Sequence, residues 1–340
     1  MQSNLQPTEM PYSRAVHGLA VTLTLAVFPL IWVGGLVTTY DAGMAVPDWP
    51  NTYGYNMFAY PATTWLFGPF DLLVEHSHRL LGTVAGLLSI GLVAAAWFYD
   101  GRNWFKIWAM FVLMAVIAQG ALGGFRVLLD QRSFAMIHGC TGPLFFAIAT
   151  ATAVMSSRWW LSRSAGQTQA QFTSRGATRL AAALLVASYC QLIVGAQLRH
   201  ITAAVDHRVF MAFVHTHLTL AGLVVILAIC TSAVTGLDRR TPARVRFPAI
   251  LIALLVLVQI SLGIATWIVN YSLPWQELSE WLAGYTISAK GYWESIIVTA
   301  HMATGSLIIS LATVTALRAW RSRASVVAKE VNRKWKQQLA

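Results

Sequence analysis

Four histidines carry the chemistry this sequence could do: His78, His138, His217 and His301. Each lies inside a long apolar run, roughly 8–13 Å from its end at 1.5 Å of rise per helical residue. An imidazole is expensive to hold in hydrocarbon, so an ionisable group at that depth marks function by default. Two imidazoles facing each other from paired helices suit the axial positions of a haem iron, whose flat ring slots into a four-helix bundle. Zinc would ask for a third protein ligand, with cysteine or carboxylate company that only the first half of the chain supplies. A helix-linking hydrogen bond would explain one such histidine. It is a poor account of four at similar depth.

Glu75 stands three residues before His78, so both project from one helix face. The equivalent position beside His217 is Val214. One half of the chain therefore has an acidic group next to its histidines and the other has none. A carboxylate placed there can accept or donate a proton; the blander alternative is an ion pair with Arg79 or a lipid headgroup. The asymmetry argues that the first half does chemistry while the second holds a permanent cofactor. His76 lies about 200° around the helix from His78 and cannot share its face. Between His215 and His217, correspondence with His78 selects His217. His200 and His207 flank a loop and read as solvated.

Helices must bring these residues together. Of 340 residues, 56% are apolar and 11% charged, against roughly 25% charged in a soluble domain. An ordinary soluble enzyme, a disordered chain and a nucleic-acid binder are excluded. Eight runs are long and apolar enough to span a bilayer, at 15–37, 72–99, 104–125, 133–155, 178–198, 208–236, 247–270 and 292–317. The first contains Pro29 and no small-residue cleavage site, so it reads as a retained span and not as a leader. Cys140, Cys190 and Cys230 all lie in apolar runs and suggest neither disulfides nor zinc.

The net charge of +11 is a topology signal. With the N-terminus inside, 18 of the 24 lysines and arginines fall on the cytoplasmic side. The exceptions are Arg79, Arg126, Arg132, Arg199, Arg208 and Lys290. Both termini are expected in the cytoplasm and the chain in a cell inner membrane. Arg79, Arg126, Arg199 and Arg208, at outer span ends, could snorkel to headgroups or neutralise an acidic ligand group such as a haem propionate.

The spans also repeat. His76-Ser77-His78 in the second is answered by His215-Thr216-His217 in the sixth. His138 and His301 both open an HxxTG motif in the fourth and eighth, and Gln119–Gly123 in the third matches Gln259–Gly263 in the seventh. Three pairs in matching order indicate a duplicated four-helix unit inserted twice in the same orientation. The expected architecture is an all-α integral membrane protein of two four-helix bundles. A cytoplasmic N-terminus (1–14) leads into a catalytic bundle (15–155) and a linker (156–177). A cofactor-holding bundle (178–317) and a basic tail (318–340) follow. The first outer loop, 38–71, has no Lys or Arg and contains Pro47-Asp48-Trp49-Pro50, which implies a rigid turn that covers the Glu75 site.

With PDWP at 47–50, ExxHR at Glu75, His78 and Arg79, GAxLRH at Gly195–His200, and His138, His217 and His301, the chain resembles the haem A synthase family from the first span to the eighth. The resemblance implies oxidation of the C8 methyl of haem O to the formyl group of haem A by successive hydroxylations. It implies His78 and His138 as ligands of the substrate haem and Glu75 as the catalytic carboxylate. His217 and His301 would be ligands of a fixed haem b. A haem O synthase and a terminal oxidase are implied as partners, with an electron donor that the sequence does not disclose. Three features depart from the family. No cysteine pair flanks PDWP, so a thiol-linked step is unavailable. The first span ends Gly35-Leu36-Val37-Thr38 where relatives often have an arginine, and Leu218 follows His217 where some relatives have arginine. Propionate contacts in the second half would then fall to Arg126, Arg199 and Arg208. The alternative is a di-haem b-type cytochrome passing electrons from quinol, with Glu75 and PDWP at the quinol site. A transporter would suit the repeat but not the layer of histidines near one face.

Overall fold

A computed structural model describes residues 12–162, 172–201, 205–271 and 291–338. Eight long helices account for most of it: α1 (Arg14–Thr39), α2 (Phe70–Tyr99), α3 (Asn103–Leu129), α4 (Arg132–Ser156), α5 (Arg175–His200), α6 (His207–Leu237), α7 (Ala243–Tyr271) and α8 (Tyr292–Gln338). All eight are long and apolar enough to cross a membrane. The chain is a multi-pass all-α membrane protein, and no strand occurs among the described residues. The helices match the eight apolar runs in order and position. α8 continues past its span into the basic tail as far as Gln338.

Local sequence sets several ends. The Ser13 hydroxyl accepts from Val16 N–H, Ser174 from Ala177 N–H, and the Asp206 carboxylate from Arg208 N–H, capping α1, α5 and α6. Pro29 and Pro143 sit inside α1 and α4, where neighbouring helices and Ser/Thr side chains offset the lost hydrogen bond.

The helices form two rings. In the first, α1 packs on α2, α2 on α3, α3 on α4, and α4 closes on α1. In the second, α5, α6, α7 and α8 follow the same order. The rings meet where α1 and α4 pack on α8 and α4 packs on α5. Each ring is filled with apolar side chains at one end. In the first these include Val16, Leu23 and Val27 of α1, Leu92 of α2, Phe105 and Val112 of α3, and Phe146 of α4. In the second they include Leu184, Ala228, Ile252 and Ile308. Chain direction alternates, so His78, His138, His217 and His301 all lie toward the other end of their ring. Close-packed hydrocarbon anchors one end and leaves polar groups to be arranged at the other.

Candidate functional site

The four histidines meet in pairs across the rings. His78 of α2 and His138 of α4 are diagonal members of the first ring, with imidazole centroids 6.1 Å apart and planes at 88°. His217 of α6 and His301 of α8 occupy the same diagonal in the second, at 6.4 Å and 62°. A metal–imidazole bond of about 2 Å on each side, with roughly 1 Å from nitrogen to ring centre, sets two axial rings ~6 Å apart. Both pairs therefore have a spacing at which one iron could be shared.

The surroundings of the rings fit the same use. The Nδ1 atoms of His78, His217 and His301 are buried with no hydrogen-bond partner, so each keeps an unused polar atom inside the ring of helices. His138 differs in that its Nδ1 lies 3.2 Å from the Gln119 carbonyl. The amide of Gln191 stands 3.1 Å from Nε2 of His217 and would contest that nitrogen with a metal. Among the described residues no group of three or more His, Cys, Asp or Glu could hold a metal ion. Two-histidine pairs are the donor set of axial haem ligation, not of structural zinc.

The remaining histidines are placed elsewhere. His76 is buried against the outer loop, its ring 4.8 Å from that of Trp65 and its Nδ1 3.3 Å from the Thr52 hydroxyl. His215 and His207 are exposed. His200, read from sequence as solvated, is half-buried with its ring beside Gly139 of α4, because α5 packs on α4 there.

Glu75 is only 3% exposed, and both of its oxygens are engaged. One accepts from Arg79 at 2.7 Å and the other from the Val46 backbone N–H at 2.9 Å. The ion pair with Arg79 is thus formed, and the carboxylate also fastens the loop. Arg79 reaches into the same loop and donates to the carbonyls of Val46, Asp48 and Asn51 at 2.6–2.8 Å. On the opposite side Arg126 of α3 donates to the Gly43 carbonyl at 2.9 Å. The Trp49 ring lies so close to Gly124 of α3 that a Cβ there would fall 2.5 Å from it. Gly124 adjoins Gly123, on which the His138 ring rests. The loop therefore bridges α2 and α3 beside the first histidine pair.

Within the loop, Asp48 accepts from the N–H groups of Tyr53 and Gly54 at 2.8 Å each. Those residues have positive φ of 50° and 79°, and the carboxylate holds the turn in that conformation. Partial burial pushes the Asp48 carboxyl up, but the Gly54 and Tyr53 donors and the nearby Arg79 cation outweigh it. The carboxyl is held below its ordinary value. The Tyr53 hydroxyl donates to the Ala45 carbonyl.

The other outer arginines separate. Arg199 of α5 is spent on the seam between the rings, donating to the Gly35 carbonyl at 2.7 Å and to the Thr39 hydroxyl, with Met302 Sδ at 3.3 Å. Arg208 is exposed at the start of α6. Glycines of neighbouring helices lie against the imidazoles, Gly123 under His138, Gly195 under His217 and Gly263 under His301. The sequence marked Gln119–Gly123 and Gln259–Gly263 only as a sign of the repeat, and Gln191 stands at the same spacing from Gly195.

A family model described as COX15-CtaA, cytochrome oxidase assembly protein, matches residues 17–213. That stretch covers the first ring, its loop, and the second ring as far as the start of α6. No curated protein matches the chain.

Proposed function

Because this chain belongs to the COX15-CtaA family of cytochrome oxidase assembly proteins, we propose that it is a haem A synthase. It would oxidise the C8 methyl of haem O to a formyl group for a terminal oxidase. The observation that carries this reading is the pair of matched histidine couples, 6.1 Å and 6.4 Å between centroids, with a carboxylate beside only one of them. His78 and His138 bind the substrate haem O. His217 and His301 hold a haem b, which supplies one-electron transfer when bound. The matching ring order of the two halves supports descent from a duplicated unit, and the charge distribution supports both termini facing the cytoplasm.

In the first ring the protein's own groups bind, shield and handle protons. The loop from Gly43 to Asn51, held by Arg79 and Arg126, excludes water from the outer end of the substrate pair. Glu75, one helical turn from His78, holds or receives a proton at the carboxylate oxygen it shares with the Val46 N–H or with Arg79. Arg79, tied to three carbonyls, fixes that carboxylate's position.

A membrane preparation containing this protein and a haem O synthase, kept aerobic, should yield haem A on extraction and chromatography. Haem O persisting unmodified would overturn the synthase reading. A di-haem b-type cytochrome oxidising quinol is the second reading. The engagement of Glu75 with the loop that carries PDWP favours it, since that reading puts carboxylate and loop together at the quinol site. That reading requires two bound b haems reducible by quinol and no change in haem O.

A further inference from the structure

One arrangement recurs at all four histidines and is not explained by iron ligation itself. Each imidazole lies over a glycine of the preceding long helix: His78 over Gly34, His138 over Gly123, His217 over Gly195 and His301 over Gly263. In every case Cε1 and then Nδ1 are the ring atoms nearest the glycine. A Cβ added to the glycine would lie 2.6 Å from Cε1 of His78, 3.5 Å from that of His138, 3.0 Å from that of His217 and 3.1 Å from that of His301. The contact at Gly34 is closer than a Cβ can make, and those at Gly195 and Gly263 would require the ring to give by a few tenths of an ångström.

The missing side chains also bare the helix backbone. The Gln119 carbonyl, which lies 3.2 Å from Nδ1 of His138, belongs to the residue four before Gly123. Leu30, Gln191 and Gln259 stand at the same place in their helices, four before Gly34, Gly195 and Gly263. In these three no hydrogen bond is closed, and Nδ1 keeps its capacity to donate. Residues four apart share a helix face, so glycine and carbonyl form one shallow seat. A ligating histidine usually donates its other ring N–H to such a carbonyl, which fixes tautomer and rotation.

Resting on the haem reading above, we propose that Gly34, Gly123, Gly195 and Gly263 are positioning residues that seat the four axial histidines. Each seat takes the Nδ1 edge of the ring against the helix and leaves Nε2 as the nitrogen presented to iron. The seats are graded. The one under His78 is tightest and the one under His138 is loose enough to admit a methyl group.

Alanine at each position tests this, with Gly120→Ala as control, because Gly120 shares α3 with Gly123 and has nothing within 4 Å of an added Cβ. Haem-to-protein ratio and the low-spin ferric EPR spectrum are measured on the purified full-length chain. Gly34→Ala should lose the haem of the first pair several-fold or convert it to high spin. Gly195→Ala and Gly263→Ala should shift the g values of the second pair while haem is retained, and Gly123→Ala and Gly120→Ala should match the unaltered protein. A g-value shift at constant haem content separates positioning from loss of fold. If Gly34→Ala does not fold, the second-ring variants decide the matter alone. The proposal is overturned if Gly195→Ala and Gly263→Ala leave the spectrum unchanged, or if Gly120→Ala perturbs it as much as they do. An unaltered protein without bis-histidine haem would sink the haem reading. The seats are then read from 15N shifts of labelled histidines, where Gly195→Ala and Gly263→Ala should each move one ring and Gly120→Ala none. Unmoved rings in those two variants overturn the seats.

Discussion

Glu75 fastens the loop, and substitution can separate that use from its proposed part in the chemistry. Its oxygens hold Arg79 and the Val46 N–H, and hydrogen bonds to a charged group contribute about 1.5–3 kcal/mol each. Glu75→Ala removes both and releases the loop, so loss of activity in that variant is ambiguous. Glu75→Gln keeps the size and one acceptor and removes the negative charge. It should retain haem in both rings and lower conversion of haem O by more than tenfold, as read by extracted haem A. Conversion within twofold of the unaltered protein would make Glu75 a fastening alone. His301→Ala should delete the haem b absorption of the second ring and leave haem O binding in the first. An unchanged reduced-minus-oxidised spectrum would remove His301 from the ligand set. The four histidines and Glu75 could be picked out in the sequence because each is a polar residue in an apolar run, where a chance occurrence is costly. The use of Arg79 could not. Its partners are backbone carbonyls of the loop, and carbonyls carry no residue-type signature.

The helices were the most legible elements. Eight apolar runs of bilayer length have no other stable arrangement, since a lipid-exposed backbone must close its hydrogen bonds within each helix. The loop after α1 could be read only as rigid. Its path, with Val46 against Glu75 and Trp49 against Gly124, depends on two helices far from it in sequence. Its internal turn makes it sensitive to acid. Asp48 is held below its ordinary value in the folded loop. Its contribution is therefore complete above the ordinary carboxylate pKa of about 3.9 and is lost as pH falls through the lowered value. Hydrogen exchange over residues 45–55, corrected for the intrinsic rate, should show protection fading below about pH 4, and Asp48→Asn should remove that dependence. Protection that is flat with pH in the unaltered protein would mean that the turn is held by Arg79 and packing alone.

At the scale of the whole molecule, the two rings are joined by polar contacts that their separate sequences do not announce. Thr150 and Ser310 are 2.8 Å apart across α4 and α8, and Thr39 and Thr299 are 3.3 Å apart across α1 and α8. Arg199 joins three helices, reaching from α5 to Gly35 and Thr39 of α1 and to Met302 of α8. From sequence it was a candidate for a haem propionate, because an arginine on the outer side breaks the charge rule. Its position at the seam gives that charge a second use, and the two uses respond differently to haem. Arg199→Met keeps most of the bulk and removes the donors. If the seam is the arginine's role, losing its hydrogen bonds costs about 2–4 kcal/mol, and the melting temperature falls on the order of 5 °C. The fall should then be the same in haem-loaded and haem-depleted protein. If a propionate is the main partner, only the loaded form is destabilised, and haem dissociates faster from the variant. Equal melting shifts with unchanged haem dissociation would assign Arg199 to holding the two rings at a fixed separation, on which electron passage between the two proposed haems would depend.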